Sequence, residues 1–244
     1  MKTLNKTNKM RKVIISTLLV ASCIVYAQDF TPNNYSSNYS STISVNSLGG
    51  DHAVFGVRSE NFGRALKYDE IAGSPYYNAE FHLAKVAENF EKVSVRYNSY
   101  KDEVEFQKEG KPLVLPKEEQ FSRIEILSPK STMVLLKTND DLSGYFFELV
   151  NGKIPLYKKV KVKFQDAIPA ANSYATDKAA FFKTLDPVYY IKTESGYIKK
   201  PKKVKDIAEA FPAKKDAIEN FVKSNDIKIN KEEDLIKLVK FLNQ

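Results

Sequence analysis

An α+β fold, a mainly antiparallel β domain of about six to nine strands followed by two or three C-terminal helices, is what this sequence predicts. Three observations lead there. Apolar and polar residues alternate through much of residues 61–200, the period of a strand with one buried face. Turn-forming residues break these runs at short intervals. Beyond residue 200 the apolar spacing lengthens to that of an amphipathic helix.

The strands justify themselves in order. Lys92–Tyr97 alternates with Val93, Val95 and Tyr97 on one face. Glu103–Phe106 does the same, which puts Glu103 and Glu105 together on an outward face. Ile124 and Ile126 continue the pattern. Met133–Leu136 is a continuous apolar run, as in a strand covered on both faces. Asn139-Asp140-Asp141 followed by Gly144 reads as a turn. Tyr145–Val150 leads into Asn151-Gly152 and then Ile154–Tyr157, a hairpin whose two central turn residues take positive φ. Val188–Ile191 and Tyr197-Ile198 flank Glu194-Ser195-Gly196 as a second hairpin.

The helices follow. Val204, Ile207, Ala208 and Phe211 form one apolar stripe, Pro212 opens a new segment, and Ala217, Ile218, Phe221 and Val222 form the next. Asn230 suits an N-cap, and Glu232, Glu233 and Asp234 suit the positive end of a helix dipole. Leu235, Ile236, Leu238, Val239 and Leu242 then supply a buried face. The helices are expected to pack on the sheet or to form a small annex.

The N-terminus carries the most specific signal. Lys2, Lys6, Lys9, Arg11 and Lys12 precede an apolar run from Val13 to Val25, and Val25-Tyr26-Ala27 offers small or modest residues for cleavage before Gln28. This is the pattern of a secretory signal peptide cut after Ala27. The apolar run is shorter than the roughly 20 residues of a membrane span, so no transmembrane span is expected in the mature chain. Val20-Ala21-Ser22-Cys23 offers a second outcome, a lipobox whose Cys23 is acylated. Against it, Ile24-Val25-Tyr26 stays apolar beyond the Cys. The chain thus divides into a signal peptide (1–27), a flexible polar lead-in (28–60), a β-rich domain (61–200) and a helical segment (201–244). The lead-in repeats Asn-Tyr-Ser-Ser at 34–37 and 38–41 and contains Gly49-Gly50. An aromatic strand added to a sheet is its alternative role.

Charge and composition remove several function classes. The full chain has 38 basic and 30 acidic residues, but the leader holds five of the basic ones and no acid, which leaves the mature chain near +3. Nucleic acid is therefore not an expected partner. A single Cys excludes an intramolecular disulfide and a Cys-rich zinc site. His52 lies in a loop-like stretch and His82 on the expected solvent face of a strand, with no nucleophile-elbow or HExxH context around either. No catalytic residue, metal site or cofactor is assigned. Carboxylates assembled only in the fold would make a hydrolase the alternative.

Two groups are candidates for binding. Tyr76 and Tyr77 follow Gly73-Ser74-Pro75, and a turn there presents paired tyrosines. Lys159, Lys161 and Lys163 alternate with Val160, Val162 and Phe164, giving one strand a basic face toward an anionic surface. The same lysines also suit a protected edge strand, which is the plainer reading, or a match to the Glu103/Glu105 face.

A leader ending Ala27-Gln28, Ser74-Pro75-Tyr76-Tyr77, the run Arg96-Tyr97-Asn98-Ser99-Tyr100-Lys101-Asp102-Glu103-Val104-Glu105-Phe106 and the closing Asp234-Leu235-Ile236-Lys237-Leu238-Val239 resemble uncharacterised exported proteins of Bacteroidota-type bacteria. The resemblance spans about residues 70–244. It implies export to the periplasm or beyond and no mechanism. The expectation is a non-enzymatic envelope protein that binds a protein or envelope component. A lipid-anchored accessory subunit is the variant in which Cys23 is kept.

Overall fold

The computed structural model describes residues 56–244. Cleavage after Ala27, acylation of Cys23, His52 and residues 28–55 of the lead-in lie outside the described residues. Residues 56–59, expected to belong to the lead-in, are a strand: β1 (Gly56–Ser59) pairs with β2 (Arg64–Lys67) as an antiparallel hairpin.

Fourteen strands are present among the described residues, more than the six to nine expected, and three α-helices follow them. Nine of the fourteen are four residues long, too short to show a period of two above the background. Ten strands form one antiparallel sheet. A meander of β3 (His82–Lys85), β4 (Val93–Asn98), β5 (Glu103–Lys108) and β6 (Lys111–Val114) joins a second meander of β7 (Arg123–Ile126), β8 (Ser131–Leu136), β9 (Gly144–Val150) and β10 (Leu156–Lys159). The join is the pairing of β3 with β7. A ribbon of β11 (Val162–Gln165) and β12 (Phe181–Thr184) intervenes before the hairpin β13 (Val188–Thr193) and β14 (Gly196–Lys199), which extends the sheet beyond β10. The resulting order is β14-β13-β10-β9-β8-β7-β3-β4-β5-β6.

The right-handed twist of so many strands curls the sheet. The turn after β4 reaches across to β9 and β10, where Asp102 accepts hydrogen bonds from the Tyr145 amide and from Lys159 Nζ. Inside the curl lies the largest core, which includes Val95, Tyr97, Val104, Phe106, Phe121, Ile124, Met133, Tyr145 and Phe147. Met133 faces this core and Val134 faces a smaller aromatic cluster with Phe146, Tyr157 and Tyr190. The continuous apolar run thus has both faces covered. A third cluster joins β1 and β2 to the β11–β12 ribbon through Val57, Leu66, Val162 and Phe182.

The helices pack on the sheet. α1 (Val204–Ala208), α2 (Lys215–Ser224) and α3 (Glu232–Leu242) bury Ile207, Ile218, Leu235, Leu238, Val239 and Leu242 against Val150, Leu156 and Ile191. The residue preceding α3 is Lys231, not Asn230, and no side-chain bond caps the helix. Its N-terminal turn still holds Glu232, Glu233 and Asp234, as the dipole favours.

Both expected hairpins form, with one difference in their turns. β13 and β14 join through Glu194-Ser195, with Thr193 opposite Gly196. The β9–β10 connection is longer than an Asn-Gly turn, because Val150 pairs with Leu156. Only Gly152 takes positive φ there. The loop opens because Asn243 at the end of α3 bonds both the amide and the carbonyl of Ile154.

Glu105 does not share a solvent face with Glu103. It is 3% exposed, since Arg96 lies opposite it in register and the Tyr76 ring packs on the Arg96 guanidinium. A carboxylate there survives burial because it is paired and hydrogen-bonded.

Candidate binding site

Three residues in register across β9, β10 and β13 form the base of the site. Lys158 is opposite Phe147 on one side and Tyr189 on the other. α3 brings Glu232 to this row, where it accepts from Tyr189 Oη at 2.8 Å and pairs with Lys158 Nζ at 2.7 Å. The acid at a helix N-terminus thus ties the helical layer to the sheet.

Tyr77 closes the row from the other side. The Tyr77 amide donates to the Tyr97 carbonyl at 3.1 Å and the Tyr100 amide to the Pro75 carbonyl at 3.1 Å. Residues 75–77 therefore lie as an extended piece beside the end of β4. That docking sets the Tyr77 ring 4.6 Å from the Phe147 ring, with the Lys158 ammonium 5.8 Å from its centroid. Tyr77 remains 51% exposed, a large aromatic held on a rigid support with one side open.

Tyr76, its neighbour, is turned inward. Its ring lies 3.9 Å from the Arg96 guanidinium, and Phe81 approaches the same guanidinium at 4.4 Å. Arg96 donates to Tyr76 Oη at 2.7 Å and to Glu105 at 2.8 Å, and Asn98 donates to the other Glu105 oxygen at 3.1 Å. The tyrosines are therefore not a presented pair. Tyr76 fixes Arg96, and Tyr77 faces outward.

Between the two groups sits a cavity of about 50 Å³ bordered by Tyr77, His82, Arg96, Tyr97, Ser131 and Phe147. His82 turns to this side of the sheet rather than to solvent, opposite Val95, and one ring nitrogen contacts the Asn78 amide nitrogen at 2.8 Å.

The phenols of the site hold their protons. Burial raises the Tyr189 pKa, and the hydrogen bond to Glu232 and that carboxylate's charge add to it. Burial likewise raises that of Tyr76, with the Glu105 charge adding to it. Both remain O–H groups across the physiological range. The cavity is far smaller than the roughly 300–1,000 Å³ of a small-molecule pocket. It accommodates a single projecting side chain, not a metabolite.

The three lysines of the expected basic strand separate. β10 ends at Lys159 and β11 begins at Val162, in different sheets. Lys159 is 4% exposed and lies against Asp102 and the Tyr145 carbonyl at 2.6 and 3.0 Å. Its partner is Asp102 rather than the Glu103/Glu105 face. Lys161 is half-buried between the strands, and Lys163 is exposed opposite Lys183. They share no face because the chain leaves the large sheet at Val160 to build the ribbon.

Lys158, Tyr189, Glu232 and Arg96 belong to the site but are not among the candidates that the sequence offers, and His82, expected on a solvent face, borders it. The period of two around Leu156–Lys159 held a signal for Lys158, since it assigns adjacent lysines to opposite faces. Among the described residues, no group of three or more His, Cys, Asp or Glu side chains is placed to hold a metal, and no helix is long and apolar enough to cross a membrane. No protein-family model, curated protein or solved structure matches this chain.

Proposed function

We propose that this chain is an exported, non-enzymatic protein of the bacterial envelope that works by binding a partner protein at the Tyr77 site. The observation that carries this is the half-exposed Tyr77 ring, seated on Phe147 beside the Lys158–Glu232 pair and above a cavity that admits one side chain. Rigid aromatics with few rotatable bonds and fixed polar neighbours are the usual anchors of protein recognition. Export rests on the basic and apolar leader with Ala27-Gln28 at its end.

The test places a photo-crosslinking amino acid at Tyr77 and, separately, at Lys163 in the native envelope. A discrete adduct from position 77 that is absent from position 163 supports the proposal. Equal adducts from both, or none from position 77, refute it. Intact mass of the native protein tests export in the same sample. A start at Gln28 gives a soluble exported protein, an acylated Cys23 gives the lipid-anchored form, and a retained leader removes the envelope from the proposal.

A further inference from the structure

A second, wider cavity lies elsewhere, where the helical layer meets the tip of the β13–β14 hairpin. It is a groove of about 700 Å³. Ile154 of the β9–β10 loop, Phe211 and Pro212 of the α1–α2 connection, and Leu242 at the end of α3 line it with apolar surface. Lys153, Lys192 and Lys214 stand around this surface, with Glu194 as the one acid.

The charges are not balanced within the groove. Glu194 reaches Lys153 only at 3.9 Å, with both side chains almost fully exposed, a pairing worth little in water. Lys192 has no carboxylate partner among the described residues. Lys214 spends one donor on the Leu242 carbonyl at 2.8 Å, and two of its three N–H groups stay available. An apolar trough rimmed by cations matches a ligand with an apolar body and an anionic head.

We propose that this groove binds a single-chain fatty acid, its carboxylate at the lysine rim and its hydrocarbon along Ile154, Phe211 and Leu242. The volume falls in the range that takes one drug-sized molecule, which favours one acyl chain over a two-chain lipid. An extended acidic peptide fits less well, because its backbone needs hydrogen-bonding partners at each residue. The two hydroxyls here are already engaged with each other and with the hairpin turn: Thr193 Oγ1 bonds to Ser195 Oγ and to the Gly196 carbonyl. This site is separate from the Tyr77 surface, and either proposal stands if the other fails.

Delipidated full-length protein titrated with a fluorescent polyene fatty acid, with oleate, oleyl alcohol and a poly-glutamate peptide as competitors, tests the inference. The expected result is saturable binding that oleate displaces, with oleyl alcohol at least about tenfold weaker. Lys192→Glu, at an exposed position, weakens the fatty acid by about tenfold or more. Ser195→Trp, which fills the mouth of the groove from the hairpin tip, abolishes binding, and Tyr77→Ala leaves it unchanged. Absence of saturable binding, equal affinity of Lys192→Glu, or displacement by the peptide but not by oleate overturns it.

Discussion

Lys158 and Lys159 are consecutive residues of β10, and they end in opposite surroundings. Lys159 is buried, its ammonium held by the Asp102 carboxylate and the Tyr145 carbonyl. Asp102 in turn accepts from Tyr97 Oη, Lys117 Nζ and the Tyr145 amide. Gly144 is required beside this knot, because its φ is +140 and a Cβ there would run into the Asp102 carboxylate. Lys158 instead meets Glu232 and Tyr189 at the edge of an exposed aromatic surface. The pleat alone separates the two side chains.

The difference shows what burial does to a charge. Desolvation lowers the Lys159 pKa and the Asp102 charge opposes that fall, so the pair holds the curl closed only while both members are present. Its value lies in joining the β4–β5 turn to β9 and β10, four to six positions apart in the sheet order. The Lys158–Glu232 pair keeps contact with solvent, which weakens it as a structural tie. It leaves charged groups within reach of a partner docked on Tyr77.

The largest expected effect breaks the inner cluster. Asp102→Ala strands a buried ammonium and removes the acceptor for Tyr97 Oη and the Tyr145 amide, at a cost of about 4 kcal/mol. Urea unfolding followed by circular dichroism reads this as a lowered midpoint. A loss under about 1 kcal/mol would mean that solvent reaches Lys159 freely. Leu238→Ala acts on the support of the outer pair. Leu238 is fully buried between α3 and the sheet, and its truncation costs about 3 kcal/mol. Because α3 positions Glu232, crosslinking from Tyr77 weakens in the same variant at temperatures where it remains folded.

A smaller effect comes from acid. Burial pushes the Asp140 pKa up, but hydrogen bonds from Lys199, Tyr190, Thr138 and the Leu142 amide outweigh it and hold the carboxyl well below its ordinary 3.8. A carboxylate with a depressed folded-state pKa stabilises the fold fully above its unfolded value and loses that contribution as pH falls through the folded one. With discount for solvent screening, about 1 kcal/mol is at stake. Thermal unfolding of wild type and Asp140→Asn is therefore expected to differ by a constant amount from pH 7 to about 5 and to converge below the ordinary carboxylate range. Persistence of the full difference under strong acid contradicts this.

The smallest effect on stability accompanies the largest expected effect on binding. Tyr77→Ala removes a half-exposed ring and costs under about 1.5 kcal/mol, and Lys158→Ala costs under about 1 kcal/mol. Each is expected to weaken the photo-adduct partner by about tenfold or more, measured by titration once that partner is isolated. Unchanged affinity in both variants would make the outer pair as structural as the inner one.

Much of the architecture could be read from local pattern. Val93, Val95 and Tyr97 face the core together, Met133 and Val134 are covered on opposite faces, and Glu194-Ser195 joins a hairpin. These follow from side-chain period and turn chemistry, which act over a few residues. The very short strands escaped because four residues carry too little period to register. Around the site, only Tyr77 was legible, from the turn residues before it. Tyr76 was placed outward with it, but Arg96 and Phe81 draw it inward.

What the amino-acid sequence determined by itself is the class of fold: an antiparallel β body, two or three amphipathic helices after it, and the faces that many strands bury. Each depends on the preferences of neighbouring residues. Register and curl were decided only in the tertiary structure. They bring Phe147, Lys158 and Tyr189 into one row, carry Asp102 across to Lys159, and bury Glu105 beside Arg96. Those pairings join residues up to 57 positions apart. Their free energy comes from desolvated charges and shared hydrogen bonds that exist only once the strands are paired and the sheet has curled.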